Sequence, residues 1–326
     1  MTTNHLALML PGAEQWCQRW RRGDHSWRPT SEGGFDPARY TVAPLRTAPV
    51  GQFIAQHHYS RSRASTVLGY VLVDLWPDPD PDAQWLDLQP LRRDCLPEPG
   101  RAHKRGQIVG ALTLGNPMNR FVLPATFPGL TPYKQALELN RLVLLDRVLA
   151  PAESWFCARS LRLAGRLGVR GVLAYCDPVG RHRIQPDGTV EILTPGHCGT
   201  VYAAMSGRQL KRGRARVHLL LPDGTTLVGR SASKIVGGER GAQGVIQRLI
   251  KLGATAPKPG TDLTAWFNGT LKDLGVVEYD HPGNYKFAWP TGPRKQRRRV
   301  DIRGVVDGPY PTHIFPSVAV PTGRPR

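Results

Sequence analysis

The stretch from Ala136 to Asp177 constrains the fold more than any other part of the chain. It begins with ALELNRLVLLD, whose apolar run predicts a strand that is buried on both faces. The loop RVLAPAES follows, and Ser154 in this loop is placed to cap the amphipathic helix WFCARSLRLAGRLG. VRGVLAYCDP then predicts a second buried strand. The pattern predicts a strand–helix–strand unit of an α/β protein, whose polar residues lie where open α/β sheets bind ligands.

Polar side chains interrupt the first strand of this unit. Glu138, Asn140 and Arg141 stand among leucines. A buried charge that loses its partner costs about 3–5 kcal/mol, so an unpaired arrangement is disfavoured. We expect Glu138 and Arg141 either to pair with each other or to face a cleft. A structural ion pair and a functional site are both open at this point.

The strongly basic balance of the chain points to a polyanionic partner. The net charge is +19, and such a charge most often indicates nucleic acid. An arginine-rich host proteome is the alternative explanation, but the cations here are clustered. One cluster is an arm over residues 1–40 that alternates tryptophan with arginine, and another is RKQRRR at 294–299. The arm could stack on bases or pack on the protein. The predicted nucleic-acid contacts are Arg21, Arg22, Lys295, Arg297, Arg298 and Arg299.

Cysteine usage and hydropathy exclude several classes of protein. The five cysteines are scattered, and the absence of a CxxC pair argues against a zinc ribbon and a disulfide framework. We therefore expect reduced thiols and a cytoplasmic location. The chain has no run of 18 apolar residues, so no membrane span or membrane partner is predicted. The N-terminus is a poor match to a signal peptide.

The rest of the chain predicts a domain with extensions. Strands are expected at VLGYVLVDLW and GQIVGALTLG, while TVAPLRTAPVGQFIAQHHYSRS predicts a loop, a short helix and a tight turn at HYS. RARVHLLLPDGTTLVGR predicts a hairpin, and GAQGVIQRLIKLGA predicts an amphipathic helix. We predict an arm at 1–40, a catalytic domain at 41–255 with insertions at 77–106 and 180–197, and a basic extension at 256–326. The last 25 residues are expected to be unstructured.

Familiar catalytic motifs are missing from the sequence. There is no GxxxxGK[ST] and no GxGxxG after a strand, which disfavours a kinase or a dehydrogenase. GxSxG and HExxH are absent too. His57 and His58 are adjacent, which on its own is a weak indication of a metal site. Tyr202 lies among small residues that would let a ligand approach, although a core position is the commoner role for such a tyrosine.

The order strand–loop–helix–strand resembles the central part of the N-acetyltransferase superfamily. In that fold, two splayed parallel strands receive the pantetheine arm of an acyl-CoA. The resemblance implies an N-acetyltransferase-like mixed sheet flanked by helices. The glycine-rich pyrophosphate loop of the superfamily would lie at RVLAPAES, which contains no glycine. The resemblance therefore does not extend to that loop.

A narrower resemblance rests on five motifs in a fixed order: HHYS, ELNRLVLLD, PAESWF, AYCDP and GTVYAAM. Together they are similar to the Mom family, whose phage Mu member converts adenine in DNA to an N6-carbamoylmethyl form that blocks restriction. The similarity implies a transferase that acts on the N6 amine of adenine in double-stranded DNA, with the base flipped into the pocket. The implied donor is a small molecule, either acyl-CoA or glycine-derived, and an iron ion is a candidate cofactor.

The Mom resemblance also implies particular site residues. The implied catalytic residues are Arg141, Ser154, Asp177 and Tyr202. Asp177 is a candidate base, and Glu138 is the alternative if burial in the strand raises its pKa. The implied substrate-binding residues are Tyr59, Ser60 and Asn140, and His58 is the implied metal ligand. Two other functions are open. One is an acyl-CoA-dependent N-acyltransferase of a small amine or protein, and the other is a DNA-binding protein without catalysis.

Overall fold

A large mixed sheet flanked by helices forms the centre of the chain, which confirms the α/β prediction. The computed structural model describes residues 16–21, 24–29, 33–58, 60, 62–77, 83–91, 102–194, 196–227 and 229–320. The chain divides into two compact units. The first unit comprises Met1–Cys176, Gly199–Arg212 and Tyr285–Thr312. The second unit comprises Asp177–Cys198, Gly213–Asn284 and His313–Arg326.

Strands and helices of the described residues are numbered in chain order. The strands are β1 (Trp16–Arg21), β2 (Asp24–Pro29), β3 (Tyr40–Leu45), β4 (Leu68–Asp74), β5 (Trp85–Asp87), β6 (Arg105–Gly115), β7 (Ala136–Leu144), β8 (Gly171–Cys176), β9 (Val179–Ile184), β10 (Val190–Thr194), β11 (Arg208–Leu210), β12 (Arg216–Leu220), β13 (Thr226–Leu227), β14 (Val277–His281), β15 (Tyr285–Pro290) and β16 (Phe315–Ala319). The α-helices are α1 (Thr47–His57), α2 (Val122–Thr126), α3 (Ala152–Arg166), α4 (Thr200–Ala204), α5 (Gly229–Val236), α6 (Ala242–Lys251), α7 (Leu263–Asp273) and α8 (Arg294–Arg297).

The central sheet of the first unit has the strand order β11-β15-β8-β7-β6-β4-β3, and β5 pairs with β6. β7 and β8 run parallel, because α3 returns the chain to the starting edge of the sheet. The neighbouring pairs on both sides of these two strands are antiparallel. The long apolar runs of β4 and β6 are buried along almost their whole length, which is why the sequence alone predicted them as strands.

Both faces of the central sheet are covered by apolar side chains. On one side, Phe53 and Ile54 of α1 pack with residues of β4 and β6 such as Val71 and Ala111. Elsewhere, Leu123 and Phe127 from α2 and its end pack with residues of β7, β8 and β15 and with Ile302. Burial of such side chains stabilises the fold by about 1.5–3 kcal/mol each.

The helix α3 begins earlier than predicted. Its first residue is Ala152 and its N-cap is Pro151, so the prediction that Ser154 caps the helix is wrong. The Ser154 hydroxyl instead donates to the Pro151 carbonyl at 3.1 Å, inside the first turn. At the other end, Gly168 has a φ of +98° and stops the helix, as glycine in a left-handed conformation commonly does.

The second unit contains two small sheets and three helices within its described residues. β9 pairs with β10 in a hairpin that turns at Pro186–Gly188, and β16 lies parallel to β9. β12 pairs with both β13 and β14. α5, α6 and α7 enclose a cluster that includes Ile235, Leu249 and Phe267. The predicted hairpin at 214–230 and the predicted helix at 241–254 are confirmed.

Three features differ from the sequence prediction. The chain is not divided at residue 255, because β15 lies inside the central sheet between β8 and β11. The last 25 residues are not wholly unstructured, since β16 pairs with β9. The predicted loop before α1 is in fact β3, whose Pro44 is tolerated because β3 is an edge strand. No helix in the described ranges is long and apolar enough to cross a membrane.

Candidate functional site

The ladder between β7 and β8 opens halfway along β7. Its last pair is Leu139 with Ala174, although β7 continues to Leu144 and β8 to Cys176. On the other side of β7, the register with β6 shifts between Leu139 and Arg141. Asn140 is therefore an extra residue in the strand, which is the geometry of a β-bulge. Bulges re-aim side chains and interrupt pairing, and they are common beside active sites.

Asn140 is fixed at the bulge by two side-chain hydrogen bonds. The hydroxyl of Thr113 donates to Oδ1 of Asn140 at 2.6 Å, and Nδ2 of Asn140 donates to the carbonyl oxygen of Ser65 at 2.9 Å. Ser65 belongs to the segment that leads from α1 into β4. The Asn140 amide thus joins this segment to the middle of the sheet, so Asn140 has a structural role besides its predicted role in substrate binding.

Arg141 points its guanidinium at the same segment. Nη1 donates to the Asn140 carbonyl at 2.7 Å, Nη2 donates to Oγ of Ser62 at 3.2 Å, and Nε lies 3.4 Å from the Ser62 carbonyl. Because Asn140 is the extra residue of the bulge, its carbonyl is available to accept the bond from Nη1 of Arg141. A cation that is held on both sides in this way is positioned for an anionic group of a substrate or donor.

A chain of hydroxyl groups links Arg141 to the buried His58. Oγ of Ser62 donates to Oγ of Ser60 at 3.1 Å, and Oγ of Ser60 lies 2.9 Å from Nδ1 of His58. The backbone N–H of Ser60 also donates to Nδ1 of His58, at 3.1 Å. Nδ1 is therefore an acceptor, and the neutral ring carries its proton on Nε2. His58 and Ser60, the two described residues of the HYS sequence, are thus joined by hydrogen bonds.

His58 is kept neutral by its surroundings. Its ring is only 5% exposed, and burial together with the positive charge of Arg141 holds its pKa well below the usual value. Nδ1 can accept a proton from Ser60 only as part of a relay that passes it on, because a charged ring is disfavoured there. The Ser62 hydroxyl connects Ser60 to Arg141 in this chain of hydrogen bonds, and the sequence analysis did not identify Ser62 as a site residue.

Glu138 has an unusual carboxyl group. Burial raises its pKa to about 7, and the nearby charge of Arg141 offsets only part of that rise. The hydrogen-bonded Glu138–Arg141 pair that the sequence left open is not formed, since the guanidinium binds Asn140 and Ser62. Among the described residues the Glu138 carboxyl has no hydrogen bond or ion pair. A carboxyl group that exchanges its proton near neutral pH is suited to general base catalysis.

Ser154 and Tyr202 occupy other places in the first unit. Ser154 lies in the first turn of α3, which follows the far end of β7. Tyr202 is 7% exposed, and its ring packs against Phe287 at 5.6 Å and Trp289 at 5.3 Å. The small Gly199 beside it makes room for the Phe287 ring, since a Cβ at that position would lie 2.5 Å from it. Tyr202 thus contributes to the core.

Asp177 belongs to the second unit and is held by three partners. Nε2 of His281 donates to Oδ1 at 3.0 Å, the backbone N–H of Val179 donates to the same oxygen at 3.0 Å, and Arg181 donates to Oδ2. Burial opposes the charge of Asp177, but these partners prevail and hold its pKa below the usual value. Asp177 is therefore a stable carboxylate rather than a group that exchanges protons near pH 7.

The partners of Asp177 were not predicted from the sequence. The Gly283 N–H donates to Nδ1 of His281 at 3.0 Å, which fixes the tautomer that faces Asp177. The ring of His218 stacks on His281 at 4.4 Å, and burial is the main cause that lowers the His218 pKa to about 4. The Tyr279 hydroxyl lies 3.4 Å from Nδ1 of His218. The sequence signal was a histidine before the Pro-Gly turn at 282–283.

The predicted DNA-contacting residues are only partly described. Lys295, Arg297, Arg298 and Arg299 are exposed on α8 and directly after it, as a phosphate-binding segment requires. Arg21 lies in β1. Arg22 and Tyr59 lie outside the described residues.

The described residues do not form the predicted metal site. Within the ranges that the structure describes, no group of three or more His, Cys, Asp or Glu side chains could hold a metal ion. Nδ1 of His58 is occupied by Ser60, and the ring of the adjacent His57 packs against Phe53 at 4.4 Å. The ligand set at His58 thus does not fit an iron ion.

Comparison with known proteins does not assign a family. No protein-family model and no curated protein matches the chain. Among solved structures, the chain is similar to a tandem GNAT protein from the clavulanic acid biosynthesis pathway (without AcCoA), with 14% sequence identity. The match covers 78% of this chain and 75% of the other, at a TM-score of 0.28. A similarity of that size does not assign a fold. The fold and site define an α/β protein with a bulged central strand.

Proposed function

We propose that the chain is a group-transfer enzyme with an amine acceptor, and that Glu138 takes the proton from the amine. The proposal rests on one observation: a half-buried carboxyl with a pKa of about 7 lies on the strand whose ladder opens. A protonated amine is not a nucleophile, and a neutral amine must lose a proton when it forms a new bond. A base with a pKa near the working pH does this best.

We further propose that the fold is N-acetyltransferase-like and that the acceptor is the N6 amine of adenine in double-stranded DNA. The support is the resemblance of five motifs to the Mom family, the net charge of +19 and the exposed cations after β15. The N6 amine of a paired adenine is poorly accessible to a catalytic pocket, so we propose that the base leaves the stack before it reacts.

The chemistry of the proposed step balances without a redox partner. The lone pair of N6 forms a bond to the carbon of the donor, and the leaving group of the donor departs with the electron pair of the bond that breaks. The proton lost by N6 passes to Glu138. Arg141 and the hydroxyls of Ser60 and Ser62 are proposed to bind the donor or its developing negative charge. Ser154, Tyr202 and Asp177 remain proposed site residues on the strength of the resemblance alone.

An acyl-CoA-dependent N-acyltransferase of a small amine or protein is the second candidate. The opening of the β7–β8 ladder favours it, because the unpaired backbone of β7 beyond Leu139 could bind an extended amide chain such as pantetheine. The loop between β7 and α3 has no glycine to bind a pyrophosphate, which disfavours it. Both enzymes would use Glu138 in the same way, while a DNA-binding protein without catalysis would not need it.

Mass spectrometry of nucleosides from the DNA of cells that express the protein separates these functions. A modified deoxyadenosine that forms with the wild type and is absent with Glu138→Gln and with Arg141→Ala is the expected result. Stoichiometric acetyl-CoA binding in calorimetry, with unmodified DNA, would favour the second candidate. Unmodified DNA, no CoA binding and intact DNA affinity would leave only the binding protein.

A further inference from the structure

An exposed apolar tip follows the strand β6. The chain leaves β6 at Gly115, and the short turn after it presents Met118 with 92% of its surface exposed and Phe121 with 64%. Exposed single apolar residues are common, but two large ones on one short turn are a candidate contact surface. We define the tip as residues 116–121.

The tip is held in one conformation. Oδ1 of Asn119 accepts from the N–H of Phe121 at 3.0 Å, and the carbonyl of Asn119 accepts from the N–H of Val122 at 3.3 Å. The hydroxyl of Tyr133 reaches the carbonyl of Arg120 at 3.4 Å. The apolar side chains are therefore presented by an ordered turn, which lowers the entropy cost of fixing its backbone on binding.

One cation lies on the tip, and a cationic segment is linked to it through the helix α2. The Arg120 guanidinium lies over the Phe121 ring, 4.7 Å from its centroid. The helix α2, which starts directly after the tip, packs through Val122 and Leu123 into the cluster that also contains Val300 and Ile302. The Arg303 N–H donates to the Thr126 carbonyl at 2.9 Å. The segment that follows the cations 294–299 is thus fixed against the helix that follows the tip.

The tip also starts next to the proposed base. Gly115, the last residue of β6, lies opposite Glu138 of β7. Met118 is three residues further along, so the chain between them spans at most about 10 Å. The segment with Ser62 and Ser65 reaches the same end of the sheet, because Val67 bonds to the Leu114 carbonyl. Apolar tip, cations and carboxyl group therefore share one end of the central sheet.

We propose that Met118 and Phe121 form a wedge that enters the base stack of duplex DNA, while Arg120 and the cations Lys295, Arg297, Arg298 and Arg299 bind the flanking phosphates. The inference rests on the proposed DNA function and names the element that opens the duplex. Phe and Met are among the side chains that insert between base steps in this way. A base that leaves the stack creates a gap, and a wedge that fills the gap offsets part of the unstacking cost.

Binding to duplex DNA tests the wedge, and this measurement does not require the group donor of the proposed reaction. The probes are two 30-base-pair duplexes of one sequence, one intact and one with a central abasic site, where the gap already exists. We expect the wild type to bind the abasic duplex about tenfold more tightly, because unstacking costs a few kcal/mol per step. Met118→Ala/Phe121→Ala should lower this ratio to about one, with unchanged thermal stability because both side chains are exposed.

Two control variants distinguish the contribution of the wedge to DNA binding from the contribution of the cations. Arg298→Ala/Arg299→Ala should weaken binding to both duplexes equally and reduce the slope of log K against log salt by about 0.9 for each cation removed. Val217→Ala, which removes an apolar side chain that is 52% exposed in the second unit, should change neither value. A wild type that does not distinguish the duplexes, or a wedge variant that keeps the preference, would overturn the inference.

The two proposals fail in different ways. Modified adenine in cells together with an unchanged preference in the wedge variant would overturn the wedge and leave the function standing. A preference that depends on the wedge, without any modified nucleoside, would support the wedge and remove the adenine chemistry. Loss of self-association instead of duplex preference in the wedge variant would identify the tip as a contact between copies of the chain and overturn the wedge.

Discussion

Gly115 lies opposite Glu138 in the ladder of β6 and β7, beside the Ser65 carbonyl and the Asn140 side chain. A Cβ at Gly115 would lie 1.5 Å from the Ser65 carbonyl oxygen and 2.7 Å from Nδ2 of Asn140. The absence of a side chain there lets the segment of Ser62 and Ser65 reach the bulge, and so lets Ser62 reach Arg141.

Gly115→Ala should therefore displace the Ser62–Ser65 segment and destabilise the first unit. We expect the free energy of unfolding, measured by urea denaturation, to fall by about 1–3 kcal/mol, as overpacking commonly does. The matched control is Gly129→Ala, because a Cβ at Gly129 has no heavy atom within 4 Å. Equal stability of the two variants would show that the close approach of Ser65 is not required.

Glu138 should give transferase activity a pH dependence centred near its pKa of about 7. Activity should rise with pH through this range, because only the ionised carboxylate accepts a proton. Glu138→Gln should lower kcat/KM by roughly 10²–10⁴-fold and abolish that step in the profile. A profile that keeps its inflection near pH 7 in the variant would assign the titration to another group.

The same carboxyl group should make stability depend on pH. The pKa of Glu138 rises from 4.5 in the free side chain to about 7 in the fold, so the folded state binds the proton more tightly than the unfolded state. The contribution of Glu138 to stability is therefore fully present below pH 4.5 and is lost, by up to about 3 kcal/mol, as the pH rises through 7. Glu138→Gln should lack this loss, so its advantage in urea melts should grow between pH 4.5 and 8. A constant difference would contradict the raised pKa.

The hydrogen bond between Thr113 and Asn140 should be measurable in a double-mutant cycle. Thr113 is buried, and its hydroxyl would lose its acceptor in Asn140→Ala, at a cost of about 1–3 kcal/mol. Thr113→Val removes the donor. The coupling energy from the four unfolding free energies should be about 0.5–3 kcal/mol. Strict additivity would mean that the bulge does not depend on this bond.

Asp177→Asn should lower stability, whereas Arg141→Gln should lower activity. Asp177→Asn removes the anion that His281 and Arg181 face, and we expect it to lower the free energy of unfolding by about 1–3 kcal/mol. The pKa of Asp177 is lowered, so this contribution should be complete above pH 3.8 and be lost only as the pH falls below it. Arg141→Gln should lower activity with little change in stability. Catalytic loss in Asp177→Asn without loss of stability would instead support its proposed catalytic role.

Much of the central sheet could be predicted from the sequence because its strands are buried on both faces. β4, β6, β7 and β8 are largely apolar runs, and α3 has one apolar face. Each of these elements can therefore be recognised from a short stretch of sequence. β3 was missed because Pro44 disfavours a strand everywhere except at an edge. The place of β15 between β8 and β11 depends on pairing with β8 across more than a hundred residues, so a short stretch of sequence cannot predict it.

The site was predictable only where local composition is unusual. Glu138, Asn140 and Arg141 stood out as polar residues in an apolar strand, while the bulge that separates them depends on the register with β6. His58 and Ser60 came from a resemblance, since 79 residues separate Arg141 from the Ser62 that connects them. Asp177 and His281 are 104 residues apart, and a pair so far apart in the chain cannot be predicted from a local sequence pattern.

The position of β15 has a consequence for synthesis on the ribosome. β8 ends at Cys176, and its partner β15 begins at Tyr285, so roughly 110 residues must be translated before that edge is covered. At common elongation rates this takes on the order of ten seconds. During that time the nascent chain carries an apolar strand with an open edge, which is a template for aggregation. Expression should therefore respond to translation speed and to chaperones that protect nascent chains.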